Sequence, residues 1–156
     1  EIMLAKVWSM GLVVLLAALV ALVFVVQGAL HVPVQGSVLL FMGLAALHLF
    51  ATTSMGIFLA TVARSMPQFG MLLVLTLLPL QMLSGGVTPR ESMPTLVQNV
   101  MLAAPTTHFV TAAQAILYRG AGLDVVWPQW LAILAIGGVL FTASLARFRK
   151  TISQMA

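Results

Sequence analysis

Three histidines, three acids and a scatter of hydroxyls are the groups in this chain with chemistry to offer, and their spacing assembles no reaction centre. His31, His48 and His108 stand apart from one another, and the acids are Glu1, Glu91 and Asp124. Metal-assisted hydrolysis inside a membrane needs paired histidines beside a carboxylate, as in HExxH. A serine nucleophile needs a GxSxG elbow or a Ser/His/Asp set. Ser54 and Ser84 stand alone and are expected to donate to carbonyls of their own helices. Lys150-Thr151 has the ending of a phosphate loop, but ARFR precedes it, without the glycine that GxxxxGK[ST] requires. The chain is therefore expected to be no enzyme, with no metal or cofactor of its own and no nucleotide site. If ATP drives it, the hydrolysis belongs to another chain or to a region outside this one. With no cysteine there are no disulfides and no thiolate metal ligands.

The elements that would position these residues are membrane helices. Of the 156 residues, 62% are hydrophobic and 6% are charged. A soluble domain carries roughly 25% charged residues, about four times as many, so lipid is the solvent that suits this surface. The net charge of +4 forms no basic stripe and meets no stacking platform, which excludes a nucleic-acid reader. Glu1 at the start, without an initiator Met or a signal-peptide layout, reads as the edge of a longer protein.

A bilayer core of about 30 Å takes roughly 20 apolar residues as helix. Four segments meet that length, at about 7–26, 37–63, 67–84 and 128–146, giving an all-α polytopic bundle. The first ends at Gln27-Gly28, with His31 and Pro33 in a short turn. Pro67 suits the first turn of the third helix, and Pro128 is expected to lead the last. The runs are too long for strands and lack period-2 alternation. Lys6, Arg64, Arg147, Arg149 and Lys150 fall on one side, and Arg90 and Arg119 on the other. The positive-inside rule then places both ends of the segment in the cytoplasm. Trp127 and Trp130 are expected at the outer interface, and Trp8 at the inner one.

Residues 85–127 do not span. Ser92 is expected to cap a helix to about Leu102 with Pro94 in its first turn, and Thr106 or Thr107 to cap another that ends at Arg119-Gly120. Pieces of about ten and twelve residues reach roughly 15–18 Å and cannot cross. The first is amphipathic, with Leu96, Val97, Val100 and Met101 on one face and Gln98 and Asn99 on another, so it is able to lie in the interface. Alternatively the pair dips in and returns, which is tolerated where protein or a watery cavity covers the backbone.

Ion-coupled carriers keep a charged group at mid-membrane. The four segments contain no Asp, Glu, Lys or Arg in their interiors, and His48 is their one ionisable side chain. His48, Thr52, Gly56 and Ala60 recur every four residues, with Arg64 next in the series. Small residues at this spacing let helices approach closely. Beside plain packing, the functional reading puts His48, Thr52, Thr53, Ser54 and Gly56 on a translocation path or dimer seam. Pro79 removes a helix hydrogen bond and is expected to kink the third span. Gln81 and Ser84 would re-satisfy the freed backbone, and Gly85-Gly86 would end the helix. Together with His108 these residues form a candidate outer gate.

The run MLSGGVTPRESMPTLVQNVMLAAPTTHFVTAAQAILYRGAGL, followed by WPQWLAILAIGGVLFTASLARFRK, resembles the carboxy-terminal half of the type-2 ABC export permeases. The marks are the S-G-x-x-x-P-x-E-S-M-P stretch, the A-P-T-T-H-F-V turn, G-A-G-L before a Trp-Pro-led last span, and the terminal R-F-R-K. The resemblance covers the whole chain and is most specific from Ser84 to Asp124. It implies six spans per subunit, of which these are the last four, in a homo- or heterodimer of permease subunits. It also implies a separate ABC ATPase pair that holds the ATP and docks at the cytoplasmic face of a bacterial inner membrane. The two short helices would match re-entrant or outer helices near the exit. Glu1 to Lys6 would be the tail of the cytoplasmic coupling helix, so Glu1, Lys6 and Arg64 mark the ATPase-coupling side. The alternative function is a non-transporting membrane scaffold or assembly subunit.

Overall fold

A computed structural model of the chain describes residues 2–153, with side chains described from 8 to 150. Glu1 lies outside the described residues, as does the side chain of Lys6. Helix α1 spans Ile2–Val20 and widens into a π-helical extension, Ala21–Ala29. Helices α2 (Val38–Val62), α3 (Met66–Leu83), α4 (Thr95–Met101), α5 (Pro105–Arg119) and α6 (Leu123–Ser153) follow, with a short 3-10 turn at Arg90–Ser92. Four of these are long and apolar enough to cross a membrane: Trp8–Ala29, Val38–Val62, Met66–Leu83 and Leu123–Lys150. The all-α bundle with two short helices before the last span is the architecture the hydropathy implied.

The helix ends follow local chemistry. The Ser37 and Ser65 hydroxyls accept from the N–H groups of Leu40 and Gln68, each at 3.3 Å, capping α2 and α3. The Gln68 side chain reaches back to the Arg64 N–H at 2.8 Å, so the α2–α3 turn closes in three residues. Gly120 ends α5 with φ +64°, and the next N–H, of Ala121, donates to the Ala115 carbonyl.

Several boundaries differ from the sequence expectation. The first helix continues past Val26 to Ala29 because its last turns switch to a wider hydrogen-bonding pattern, with the Leu30 N–H on the Val25 carbonyl. The last helix begins at Leu123, so Pro128 sits inside it and Asp124 joins its first turn, where a carboxylate complements the helix dipole. Ser92 does not cap α4; its hydroxyl donates to the Pro89 carbonyl, and Pro94 takes the cap position. Ala104 precedes α5 with Pro105 first in the helix, which moves Thr106 and Thr107 from cap to first turn. Helix α3 runs through Pro79 without a break and ends at Leu83. Trp127 is exposed as an interfacial residue should be. Trp130 instead turns inward, its ring where a side chain at Gly43 would stand.

The core lies among α2, α5 and α6. Leu44, Ala51, Ala112, Ile116, Val126 and Ile133 are buried there, with Phe41, Phe109 and Trp130 packed around them. By contrast α3 has no buried residue, and Trp8, Phe24, Leu75 and Leu78 are exposed. Those faces suit lipid. Since lipid tails are as apolar as leucine, association among the helices depends on close packing and hydrogen bonds.

The closest packing is at the strap between the first two spans. The Gln35 N–H donates to the Leu117 carbonyl at 3.0 Å, tying this loop to the end of α5. Gly36 lies directly on the Ile116 backbone, where a Cβ would collide with the carbonyl, whereas nothing stands within 4 Å of a Cβ at Gly11. Gly36→Ala is expected to destabilise the full-length subunit by about 1–3 kcal/mol. Gly11→Ala should be neutral or slightly stabilising. Thermal unfolding in detergent separates the two, and an equal response from both would contradict the contact.

Candidate functional site

Helices α4 and α5 meet at 94°. The three-residue turn between α2 and α3 sends the chain back along the bundle, and Gly85 and Gly86, just past α3, lie against Val110 partway along α5. Gly120 packs against Gln35 and Gly36 against Ile116, beside the start of α2. The bent α4–α5 pair has the form of a broken span or a re-entrant hairpin.

Ring contacts fix its depth. Phe109 stacks on His48 with centroids 4.3 Å apart and touches Phe41 at 6.2 Å. His48 lies about ten residues into α2, ~15 Å along the axis at 1.5 Å per residue. The α4–α5 elbow therefore reaches well into the bundle. Leu96 and Val100 of α4 are exposed while Met101 is buried at the elbow, and α5 is built into the core through Ala112 and Ile116.

The elbow needs its backbone satisfied because no water lies at that depth in hydrocarbon. The N–H groups of Leu102, Ala103 and Ala104 donate to the carbonyls of Asn99, Val100 and Met101. A ring nitrogen of His108 bonds the Leu102 carbonyl at 2.8 Å, and Pro105 has no N–H to satisfy.

Two cavities flank the hairpin. One is an apolar chamber of about 620 Å³, largely open to the bundle surface, between α2, α3 and α6, with the elbow residues Met101, Ala103, Ala104 and Pro105 at one end. Met55, Phe58 and Leu59 of α2 line it, with Thr76 and Leu80 of α3 opposite. The second, of about 670 Å³, is a polar cleft at the hairpin end of the bundle. Ser84, Gly85 and Gly86 form one wall, α5 and α6 the others, and Arg90, Gln98, Gln114 and Gln129 supply its polar groups.

The sequence candidates divide between these places. Ser84, Gly85 and Gly86 line the cleft. Ser84 is buried and donates to the Gln81 carbonyl at 3.1 Å, so it does not reach the Leu75 carbonyl that Pro79 leaves free. Pro79 and Gln81 are exposed on α3. His108 does not line the cleft: its ring turns to the elbow carbonyl of Leu102, while Val110, two residues on, lies against Gly85 and Gly86. On α2, Thr52 donates to the His48 carbonyl at 2.9 Å and Ser54 to the Phe50 carbonyl at 2.8 Å, the back-bonding expected of helix hydroxyls in lipid. Thr53 is half-buried, and Gly56 faces open space. His48 keeps Nδ1 buried without a partner. Arg64 lies at the far end of the bundle, in the α2–α3 turn.

Arg90, Gln98 and Arg119 entered the sequence reading only as outer charges, a helix end and one face of an amphipathic helix, and Phe109, Gln114 and Gln129 were not singled out as site residues. Among the described residues no group of three His, Asp or Glu is placed to hold a metal.

Thr107 Oγ1 is fully buried with no hydrogen-bond partner. Thr107→Val keeps the shape and removes the stranded hydroxyl, so stability is expected to hold or rise by about 1 kcal/mol. Thermal unfolding in detergent checks this; a clear loss would mean that the hydroxyl is bonded in the assembled protein.

A family model described as ABC-2 type transporter matches residues 1–118. The inner membrane transport permease YhhJ of Escherichia coli (strain K12) is 66% identical over 156 residues, all of this chain and 42% of the relative. The probable multidrug ABC transporter permeases YbhR and YbhS of the same organism are 27% identical over 124 residues and 29% over 147. Those alignments cover 80% and 90% of this chain, and 34% and 37% of the relatives. The chain thus spans well under half the length of the curated relatives it matches. No solved structure matches. The chain belongs to the ABC-2 type transporter family.

Proposed function

We propose that this member of the ABC-2 family is the carboxy-terminal, path-forming part of an ATP-driven export permease, with the re-entrant hairpin as the divider of the path. The observation that carries the reading is the elbow itself. Residues of α4 and α5 line both the greasy chamber and the polar cleft, so a movement of this hairpin would change both at once.

The chain offers no phosphate loop, so a separate ABC ATPase would supply the energy. Arg64 lies in the α2–α3 turn, toward the end of the bundle away from the hairpin, and we assign that end to the ATPase and the cytoplasm. The excess of Lys and Arg there supports this orientation. The relatives named as inner membrane and multidrug permeases support an inner-membrane site and an exported substrate. Gly56 has nothing within 4 Å of its would-be Cβ, which leaves that face of α2 free for a second permease subunit.

In this reading the α2 contribution to the path passes from the hydroxyls to Met55, Phe58 and Leu59, because Thr52 and Ser54 are engaged with their own helix. Ala135 lines the chamber from α6 and is exposed to it. Ala135→Trp should fill the chamber and lower export by roughly tenfold or more, equivalent to about 1.4 kcal/mol of barrier. Co-purification of the full-length subunit with its ATPase should be unaffected. Unchanged export would remove the chamber from the path. Failure of any P-loop ATPase to associate with the intact protein would favour a scaffold or assembly subunit instead.

A further inference from the structure

Arg90 and Arg119 line the polar cleft together with an amide oxygen, that of Gln129, which has no hydrogen-bond partner among the described residues. Arg90 lies across Gly85, where a Cβ would stand 3.2 Å from the arginine Cγ; glycine, at φ +97°, leaves the side chain room. Its Nη2 reaches only the Gln98 carbonyl, at 3.5 Å. Arg119 enters from the last turn of α5. Glu91 is the one acid in the lining, so the cleft carries a net +1 from two guanidiniums and one carboxylate. Gln129 Oε1, an acceptor, is buried without a donor. The rim is of another kind: Val87 and Val125 line the cleft and are 72% and 58% exposed.

These features describe the complement of a molecule with an acidic head and an apolar tail. Guanidiniums suit a phosphate because each offers two parallel N–H donors. A greasy rim lets a chain pass out to the bilayer. The volume of about 670 Å³ is ample for the headgroup.

We propose that this cleft binds an anionic amphiphile of the phosphoglyceride type, its phosphate between Arg90 and Arg119 and its tails over Val87 and Val125. The assignment rests on the cleft alone. It holds whether the ligand is cargo or a bound lipid, and so stands or falls apart from the transport reading.

The test uses full-length subunit purified in an uncharged detergent and native mass spectrometry. Phosphatidylglycerol, phosphatidylcholine or glycerol 3-phosphate is added to separate samples. Phosphatidylglycerol should be retained about tenfold over phosphatidylcholine, and the combined Arg90→Gln and Arg119→Gln variant should lose roughly that factor or more, as expected for hydrogen bonds to charged groups. Arg149→Gln, at the far end of the bundle, should leave retention unchanged. Equal retention of the two lipids, or no loss in the double variant, overturns the proposal. Competition by glycerol 3-phosphate as strong as by the lipid would assign the cleft to a small soluble anion and overturn the amphiphile. Should the double variant fail to fold, Val125→Glu supplies the second arm. A carboxylate is tolerated in the first turn of α6, and there it should repel the headgroup and reduce retention severalfold; unchanged retention counts against the site.

Discussion

Gln35 donates its N–H to the Leu117 carbonyl at 3.0 Å, and Gly36 rests on the neighbouring Ile116 carbonyl. Together they hold down the end of a helix that a bilayer alone would not accept. A half-length helix leaves backbone groups open at both ends, each costly in hydrocarbon. Here one end is closed by the strap and Gly120. The other is closed by tight turns at residues 102–104 and by the His108 ring. With its ends covered, α5 takes its place between α2 and α6, and the two cavities are what remains on either side of it.

The same constraint explains the division of labour among the helices. Hydroxyls on the long spans bond their own carbonyls, as at Thr52, Ser54, Thr142 and Ser144, and so are spent. Larger polar groups collect on the hairpin and at its borders, at Arg90, Gln114, Arg119 and Gln129, where they line the cleft. Small side chains at Ala51, Ala112 and Ala104 bring the backbones close, which is what lipid-embedded helices depend on in place of the hydrophobic effect. The outer faces of α1 and α3 carry large apolar residues and no such fit.

Most of the architecture was legible in the sequence because length and hydropathy settle how many helices can cross. The places where the reading slipped share one cause. Pro128, Ser92 and Thr106 were judged by local cap preferences, whereas α6 begins at Leu123 with the N–H groups of Val125 and Val126 on the Gly122 carbonyl, and Pro94 and Pro105 take the starts of α4 and α5. His108 was grouped with Ser84 to Gly86 by its position within the same non-spanning segment. In the structure its ring turns instead to the elbow carbonyl of Leu102, while Val110, two residues on, faces Gly85 and Gly86. The cleft was hidden because Arg90 and Arg119 are 29 positions apart and line one cavity only through the folding back of the chain.

The depth of the hairpin is the central claim, and the absence of native cysteine makes it directly measurable. Ala103→Cys and Tyr118→Cys variants of the full-length subunit in sealed vesicles can be labelled with a membrane-impermeant maleimide. Tyr118 is exposed at the outer end of α5, and Ala103 forms the elbow above the apolar chamber. Rapid labelling at position 118 with little or none at 103 is the expected result. Equally fast labelling at both would put the hairpin on the membrane surface and contradict the account.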